Sequence, residues 1–238
     1  MAISVKFQSG IIEVTHSNEN SRNAFHLEDA NTLAKALKAK KEIKGLVWRS
    51  SGGRVFCSGG DLSFYAKLKT RMAGIEANRK IRAALEQLNR LNCPTAVAVS
   101  GDVLGGGVEL LSAFDYVVAE KQVIFSLWQR RIGLSFGWGG GARLMMRIPL
   151  RRLRRMAIEA RVISAFRAFE EGIVDQIANP GCSLEAAKKW VVSQTNLPIE
   201  PVRVLKTLDS KNEAKSFEQI WQNPSHKKIL KDFLSRKK

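Results

Sequence analysis

The stretch VLGGGVELLSAFD, residues 103–115, places three consecutive glycines directly before an apolar run that carries one carboxylate, Glu109. Glycine lets the backbone approach another group closely, and the first N–H groups of a helix have no partner within that helix. A glycine turn that opens a helix is therefore typical of a site for an oxygen with negative charge. On the spacing alone, tight packing of Gly105–Gly107 against a neighbouring strand explains the glycines equally well.

A second turn of small residues precedes another predicted helix. It reads FCSGGDL, residues 56–62, and its Asp61 has the favourable position for an acid at a helix start. If the two turns converge, one N–H from each forms a pair of donors for a single oxygen. An enzyme needs such an oxyanion hole when it turns a thioester carbonyl into an enolate.

Two nucleotide-binding patterns can be excluded or set aside. The phosphate-binding spacing GxxxxGKS/T does not occur in the sequence. The segment GWGGGA, residues 137–142, satisfies GxGxxA, but the preceding RRIGLSF, residues 130–136, does not have the pattern of a buried strand. We therefore do not expect a dinucleotide site.

Strands and helices alternate along most of the chain. Apolar strand patterns occur at residues 10–17, 44–53 and 95–101, and the first is followed by a predicted helix over 26–41. This alternation predicts an α/β fold with buried strands. From about residue 182 only helical patterns follow, so we predict a core over residues 1–181 and a helical region over residues 182–238.

Length and composition are those of a soluble globular enzyme. The chain has 238 residues, of which 45% are hydrophobic and 26% charged, and no apolar stretch is long enough to span a membrane. The N-terminus has no signal- or transit-peptide pattern, so we expect a cytoplasmic protein. Cys57, Cys93 and Cys182 are scattered, which favours free thiols over a disulfide scaffold or a zinc site.

The three histidines give no indication of a metal site. His16, His26 and His226 are far apart in the sequence and lack the spacing of metal ligands. We expect each of them at the surface or at a helix end, and we expect no bound metal.

A net charge of +17 is the unusual bulk property of the sequence. Such a field attracts anions, whether nucleic acid, acidic lipid or a phosphorylated small molecule. Basic residues are densest over residues 147–161, where Leu150, Leu153 and Met156 recur at helical spacing. This pattern predicts an amphipathic helix with a cationic face, and nucleic-acid binding by that face remains the alternative.

Taken together in their order, the motifs closely resemble those of the crotonase (enoyl-CoA hydratase/isomerase) superfamily. Three segments carry the main resemblance: FCSGGDL at 56–62, GDVLGGGVEL at 101–110 and FSLWQRRIGLSFGWGGGARL at 125–144. RNAF at 22–25, ARVISAFRAFEEGIVDQI at 160–177 and the tail at 217–237 are also similar to family segments. The resemblance therefore covers essentially the whole chain.

The resemblance implies a fold, an assembly and a class of substrate. The fold is a spiral of ββα units followed by a C-terminal helical region that drives trimers, often pairs of trimers. The substrate is an acyl-CoA thioester, or the same acyl group on a carrier-protein pantetheine. Neither a metal nor a redox cofactor is implied, since CoA is part of the substrate.

The resemblance also implies the roles of particular residues. The N–H groups of Gly60 and Gly106 would form the oxyanion hole, and Glu109 aligns with the first of two catalytic glutamates of hydratases. The carbonyls of Ser58 and Gly60 would meet the CoA adenine, and Arg22 would approach the CoA phosphates. The remaining residues expected to bind CoA are Ala24, Asp61 and Leu62.

Gln129 departs from the family pattern, because hydratases have their second glutamate at this position. An amide can hydrogen-bond a water or a carbonyl but cannot act as a general base near neutral pH. We therefore expect hydration or isomerisation with Glu109 as the single acid/base. The alternative within the family is decarboxylation, in which the departing CO₂ generates the enolate. A catalytically weakened scaffold that binds RNA through its basic surface is the alternative from a different class.

Three aromatic residues have two interpretations each. Trp128 and Trp138 flank the Gln129 region, where they either pack in the core or form a wall of an acyl pocket. Tyr65, four residues after Asp61, is either a packed side chain or a proton donor that reaches the acyl pocket.

Overall fold

The computed structural model describes residues 2–38, 43–52, 54–208 and 211–235. Its strands are β1 (Ile3–Gln8), β2 (Ile11–His16), β3 (Gly45–Ser50), β4 (Val55–Cys57), β5 (Thr95–Val99), β6 (Asp102–Leu104), β7 (Tyr116–Glu120), β8 (Ile124–Ser126), β9 (Ile163–Ser164) and β10 (Gln176–Ala178). Its α-helices are α1 (Leu27–Lys38), α2 (Leu62–Ala66), α3 (Arg71–Asn89), α4 (Gly106–Leu111), α5 (Gly140–Met145), α6 (Leu150–Glu159), α7 (Ala165–Glu170), α8 (Ser183–Thr195), α9 (Glu200–Lys206), α10 (Glu213–Ile220) and α11 (Pro224–Ser235). Two short 3₁₀ helices cover Glu19–Ser21 and Trp128–Ile132.

The strands form two sheets. The larger sheet has the order β1-β2-β3-β5-β7-β10, and all its pairs are parallel except the hairpin of β1 and β2. The smaller sheet has the order β4-β6-β8-β9, with β9 antiparallel to β8. Three successive strand pairs each contribute their first strand to the larger sheet and their second strand to the smaller one. This repeat is the spiral of ββα units that the resemblance implied.

The larger sheet is covered on both faces, which explains why its central strands are continuous apolar runs. On one face lie α1 and α3, and Leu33, Leu85 and Leu88 are fully buried in the main core. On the other face α8 packs against β3, β5 and β7 through Ala187 and Val191.

The predicted division at residue 182 falls directly before α8. The described residues after this point include helices α8 to α11, and α8 belongs to the packing of the larger sheet. The division into two units stays a prediction. Beyond α8, exposed apolar side chains are frequent on the described helices: Leu205, Phe217, Trp221, Phe233 and Leu234.

The sequence-based elements agree with the structure where the pattern was long. The predicted helix over 26–41 is α1, which ends at Lys38, and residues 39–41 lie outside the described part of the chain. The predicted strands at 10–17, 44–53 and 95–101 are β2, β3 and β5, with residue 53 also outside the described part. No helix among the described residues combines the length and the apolar character that crossing a membrane requires.

One expectation about the histidines was wrong. His16 lies at the end of β2, is fully buried, and contacts the rings of Phe25 and Trp48 at centroid distances of 5.7 and 6.3 Å. Its Nε2 lies 3.5 Å from a carboxylate oxygen of Asp29. The alternating pattern of β2 places every second side chain in the core, and His16 falls on the buried face.

Candidate active site

The two glycine-containing turns follow neighbouring strands of the smaller sheet. Strands β4 and β6 are parallel, and Cys57 pairs with Val103. Because the carboxyl ends of parallel strands meet at one edge of a sheet, the turns that leave them lie side by side. The sequence alone could not decide whether the two turns converge, and the structure brings them together.

The contact between the turns leaves no space for side chains. A Cβ atom placed on Gly59, whose φ is +99°, would lie 3.1 Å from the amide nitrogen of Gly106. A Cβ atom on Gly107 would lie only 2.5 Å from the carbonyl oxygen of Cys57. The tight packing considered for Gly105–Gly107 is therefore present at Gly107, while the site for a negatively charged oxygen stays a prediction.

That cavity has a volume of about 510 Å³. All the site residues expected from the sequence line it: Arg22, Ala24, Ser58, Gly60, Asp61, Leu62, Gly106, Glu109 and Gln129. The sequence therefore predicted which residues would be brought together, and their individual roles stay predictions.

Gly60 and Gly106, whose N–H groups are expected to form the oxyanion hole, both line this cavity. Gly106 is the first residue of α4, where a backbone N–H has no partner within the helix. Outside the helix and strand ladders of the described residues, no backbone hydrogen bond uses the N–H of Gly60 or of Gly106.

The Glu109 carboxylate is buried and holds a turn in place. Glu109 is 2% exposed. One of its oxygens accepts hydrogen bonds from the amide of Gln129 and from the backbone N–H of Gly137, both at 3.2 Å. The other oxygen accepts hydrogen bonds from the backbone N–H groups of Trp138, at 2.8 Å, and Gly140, at 3.0 Å. Glu109 thus connects α4 to the turn 137–140, a role that no sequence pattern indicated.

Gln129 is the side-chain donor of that set. It lies in the 3₁₀ helix Trp128–Ile132, is 8% exposed, and its Nε2 is directed to Glu109 rather than to solvent. The carboxylate and the amide therefore lie together in the cavity wall. Because residue 129 is an amide, it donates a hydrogen bond to Glu109 but cannot share a proton with it, as a second carboxyl group could.

Trp138 packs in the core and also lines the cavity, and its role as a wall of an acyl pocket stays a prediction. Its side chain is buried in the core beside Phe25, with ring centroids 5.8 Å apart, and it also lines the cavity. The indole lies against both glycines of interest: a Cβ atom on Gly106 would be 2.7 Å from it, and one on Gly60 would be 3.3 Å from it. Trp128 also lines the cavity, and the guanidinium of Arg131 lies over its ring at 4.7 Å.

Asn78 is a cavity residue that the sequence analysis missed. It lies on α3, and its Oδ1 accepts hydrogen bonds from the Tyr65 hydroxyl at 3.1 Å and from the Trp138 indole N–H at 3.0 Å. Burial raises the pKa of the Tyr65 hydroxyl, so this group stays protonated at neutral pH. A single asparagine in an amphipathic helix gives no sequence signal for such a role.

The expected CoA-binding residues lie on one side of the cavity. The segment that contains Arg22 and Ala24 is joined to the second turn by a hydrogen bond from the N–H of Phe25 to the carbonyl of Gly59, at 2.8 Å. Asp61 caps α2 by accepting from the N–H of Ser63 at 2.8 Å. This agrees with the helix-start position that the sequence predicted for Asp61.

The dinucleotide reading of residues 137–142 does not fit the structure. No strand of the described chain ends directly before Gly137, and the N–H groups of this turn are used by Glu109. Among the described residues, no group of three or more His, Cys, Asp or Glu side chains has an arrangement that could hold a metal ion.

Comparison with known proteins agrees with the fold. The family model described as enoyl-CoA hydratase/isomerase matches residues 6–237. This chain therefore belongs to the enoyl-CoA hydratase/isomerase family, as the order of the motifs predicted.

Relatives with two different activities have similar sequence identity to this chain. Ethylmalonyl-CoA decarboxylase of Mus musculus is 26% identical over 239 residues, which cover 93% of this chain and 74% of the relative. The mitochondrial methylglutaconyl-CoA hydratase of Rattus norvegicus is 30% identical over 195 residues, which cover 81% of this chain and 61% of the relative. The crystal structure of an enoyl-CoA hydratase from Bacillus anthracis superposes with a TM-score of 0.89 at 23% identity, covering 99% of this chain and 97% of that one. Family membership thus leaves the reaction open.

The close contact of the two turns predicts the effect of adding one methyl group. Gly107→Ala would place its Cβ against the Cys57 carbonyl, and overpacking of this kind costs about 1–3 kcal/mol of unfolding free energy. The displaced turn would also move Gly106, so we expect turnover to fall with stability.

Gly74→Ala is the matched control. Gly74 lies within helix α3, and a Cβ atom there would meet only the side chain of Leu68, at 4.0 Å. Here the same substitution should stabilise the chain by about 0.5–1 kcal/mol. Urea unfolding of both variants measures the difference, and equal stability of the two variants would contradict the close packing at Gly107.

Proposed function

We propose that this protein decarboxylates a CoA thioester that carries a carboxylate on its α-carbon. The observation that carries the proposal is the environment of Glu109, whose two oxygens already accept four N–H hydrogen bonds. Hydration and isomerisation need a carboxyl group that is free to exchange a proton with substrate or water. Decarboxylation needs no general base, because the electron pair of the breaking C–C bond forms the enolate.

The proposed reaction balances without a redox step. The bond between the α-carbon and the substrate carboxylate breaks, and CO₂ leaves. The electron pair of the broken bond stays on the acyl group and forms the enolate of the thioester. One proton then adds to the α-carbon to give the shorter acyl-CoA. The electrons stay within the substrate, so the proposal includes neither a metal nor a redox cofactor.

The N–H groups of Gly60 and Gly106 are the proposed donors to the thioester oxygen. Backbone donors fixed before the reaction stabilise charge that develops during it, and removal of one such donor in other enzymes slows turnover about 10²–10³-fold. The core packing of the two turns supports this role, because the position of each amide is set by backbone contacts and not by flexible side chains.

The Tyr65 hydroxyl is the proposed proton donor. Its oxygen lies 3.2 Å from the position that a Cβ on Gly60 would occupy, so it is beside one of the two proposed oxyanion donors. Rotation about the C–O bond would turn its proton from Asn78 towards the cavity. Since burial raises the pKa of this hydroxyl, the proton is present at neutral pH, and solvent would restore it after each turnover.

Arg22 and the overall charge support a polyanionic substrate. Arg22 lines the cavity on the side of the segment 20–24, and the net charge of +17 attracts the phosphates of CoA over a distance of about one Debye length. We propose that Ser58, Ala24, Asp61 and Leu62 contact the CoA moiety along the same side.

An assay of products tests the proposed function directly. The full chain would be incubated separately with methylmalonyl-CoA, ethylmalonyl-CoA and crotonyl-CoA, and the thioesters would be followed by mass spectrometry. We expect the two malonyl derivatives to lose CO₂ and crotonyl-CoA to gain water slowly or not at all. Hydration with a larger kcat/KM than decarboxylation would overturn the proposal.

Tyr65→Phe tests the proton donor, and the chain provides a matched control. The loss of a general acid typically costs 10²–10⁴-fold in rate, so we expect kcat for decarboxylation to fall about 100-fold while KM changes little. Tyr116 is the other of the two tyrosines and stacks on Trp190 outside the cavity. Tyr116→Phe should keep the original kcat, and an unchanged kcat in Tyr65→Phe would remove Tyr65 from the mechanism.

Hydration is the second candidate, because Glu109 lines the cavity and a hydratase is among the relatives. In this case Glu109 would act as the single acid/base with a substrate water. The acid/base role that the family motif predicts for Glu109 therefore applies only if the reaction is hydration. In the decarboxylation proposal the same residue positions Gln129 and the turn 137–140.

Gln129→Glu separates the two candidates. The new carboxyl would lie beside Glu109, and two carboxyl groups in contact share a proton, which provides both an acid and a base. We expect hydration of crotonyl-CoA to rise by at least tenfold. Decarboxylation should fall, because the pair carries negative charge close to the substrate carboxylate. If neither rate changes, residue 129 is not at the reacting end of the substrate.

Three further expectations belong to the proposal. The exposed apolar side chains of helices α9 to α11 support self-association as a trimer or a pair of trimers. A cytoplasmic location is also proposed, in keeping with the free thiols of Cys57, Cys93 and Cys182. The four arginines of the α6 cationic face, Arg151, Arg152, Arg154 and Arg155, are exposed, and nucleic-acid binding there stays an untested alternative.

A further inference from the structure

We propose that Trp138 sets the upper length of the acyl group, so that the protein accepts only thioesters with a short substituent on the α-carbon. This inference rests on the proposed position of the thioester at Gly60 and Gly106. It goes beyond the acyl-pocket wall considered for Trp138 from the sequence, because it gives this residue a specific role, the limit on acyl length.

The six-membered ring of the indole lies against the proposed reacting position. A Cβ on Gly106 would be 2.7 Å from Cη2 and Cζ3 of Trp138, and a Cβ on Gly60 would be 3.3 Å from Cζ2. The indole therefore already occupies the space on the Cβ side of both glycines. An acyl group whose carbonyl binds these two amides meets the indole edge within a few atoms of its α-carbon.

Trp138 cannot easily turn away to admit a longer chain, because contacts fix it on several sides. Its indole N–H donates to Asn78 Oδ1 at 3.0 Å, and its backbone N–H donates to Glu109 at 2.8 Å. Its carbonyl accepts from the guanidinium of Arg143 at 3.0 Å, and its ring packs on the fully buried Phe25. A different rotamer would break the bond to Asn78 and open a void beside Phe25.

Two other apolar residues of the cavity provide no comparable barrier. Ile132 and Leu134 line the cavity and are 43% and 58% exposed, so they border solvent and not the core. The limit on acyl length is therefore expected at Trp138, which lines the cavity and packs on the buried Phe25 behind it.

Binding of unreactive thioesters tests this inference without any need for turnover. Acetyl-, butyryl-, hexanoyl- and octanoyl-CoA would be titrated into the full chain and their affinities measured by calorimetry. For the unchanged protein we expect affinity to rise up to butyryl-CoA and then to level off or fall. For Trp138→Ala we expect it to continue to rise, by up to roughly fourfold for each methylene that enters the opened apolar space.

Two further variants protect the test against loss of folding and against unspecific effects. Trp138→Phe keeps an aromatic ring against Phe25, but the new side chain is shorter, so the limit on acyl length should shift by about two carbons. This variant decides the question if Trp138→Ala does not fold. Trp128→Leu changes the other tryptophan of the cavity. It should alter all affinities by a similar factor and leave their dependence on acyl length unchanged.

The outcomes are distinct from those that test decarboxylation. A dependence on acyl length that is the same in the folded Trp138 variants as in the unchanged protein overturns the inference. Equal shifts in the Trp138 and Trp128 variants also overturn it. If no malonyl derivative loses CO₂ but the Trp138 variants still extend the acyl range, the proposed reaction fails and the specificity role of Trp138 stands.

Discussion

The set of hydrogen bonds to the buried Glu109 carboxylate determines the shape of the site. A carboxylate at 2% exposure is tolerated only if its oxygens are hydrogen-bonded, and here four N–H donors supply the bonds. Three of the donors belong to the backbone of the turn 137–140. Glu109 therefore fixes that turn relative to α4. Trp138 is part of this turn, and its indole lies beside Gly60 and Gly106.

The other side of the site is formed by backbone packing. Strands β4 and β6 are neighbours in the smaller sheet, so the turns after them touch. A side chain on Gly107 would collide with the carbonyl oxygen of Cys57, and one on Gly59 would crowd the amide nitrogen of Gly106. Because the proposed oxyanion donors are main-chain groups, the sheet can preserve their geometry while most side chains change.

Gln129 connects this architecture to the choice of reaction. In the position of a second glutamate the chain has an amide, which donates to Glu109 and occupies part of its acceptor capacity. A site without a free carboxyl group can still hold an enolate that is generated by the loss of CO₂. In our proposal, the reaction on this scaffold depends on whether a base is free, and Trp138 adds a limit on the acyl group.

The sequence by itself determined the α/β class, because glycine turns and apolar strands are local patterns. The order of its motifs, through their resemblance to a family, also gave the ββα spiral and nine of the residues that line the cavity. The sequence did not show the three-residue strands β4, β6 and β8, which are too short for a periodic signal, nor the burial of His16. Only the tertiary structure decided that Glu109 is bound to donors up to 31 residues away, and that Asn78 joins Tyr65 to Trp138. These contacts depend on how separate elements pack, and hydrogen bonds between distant residues leave no pattern in a single sequence.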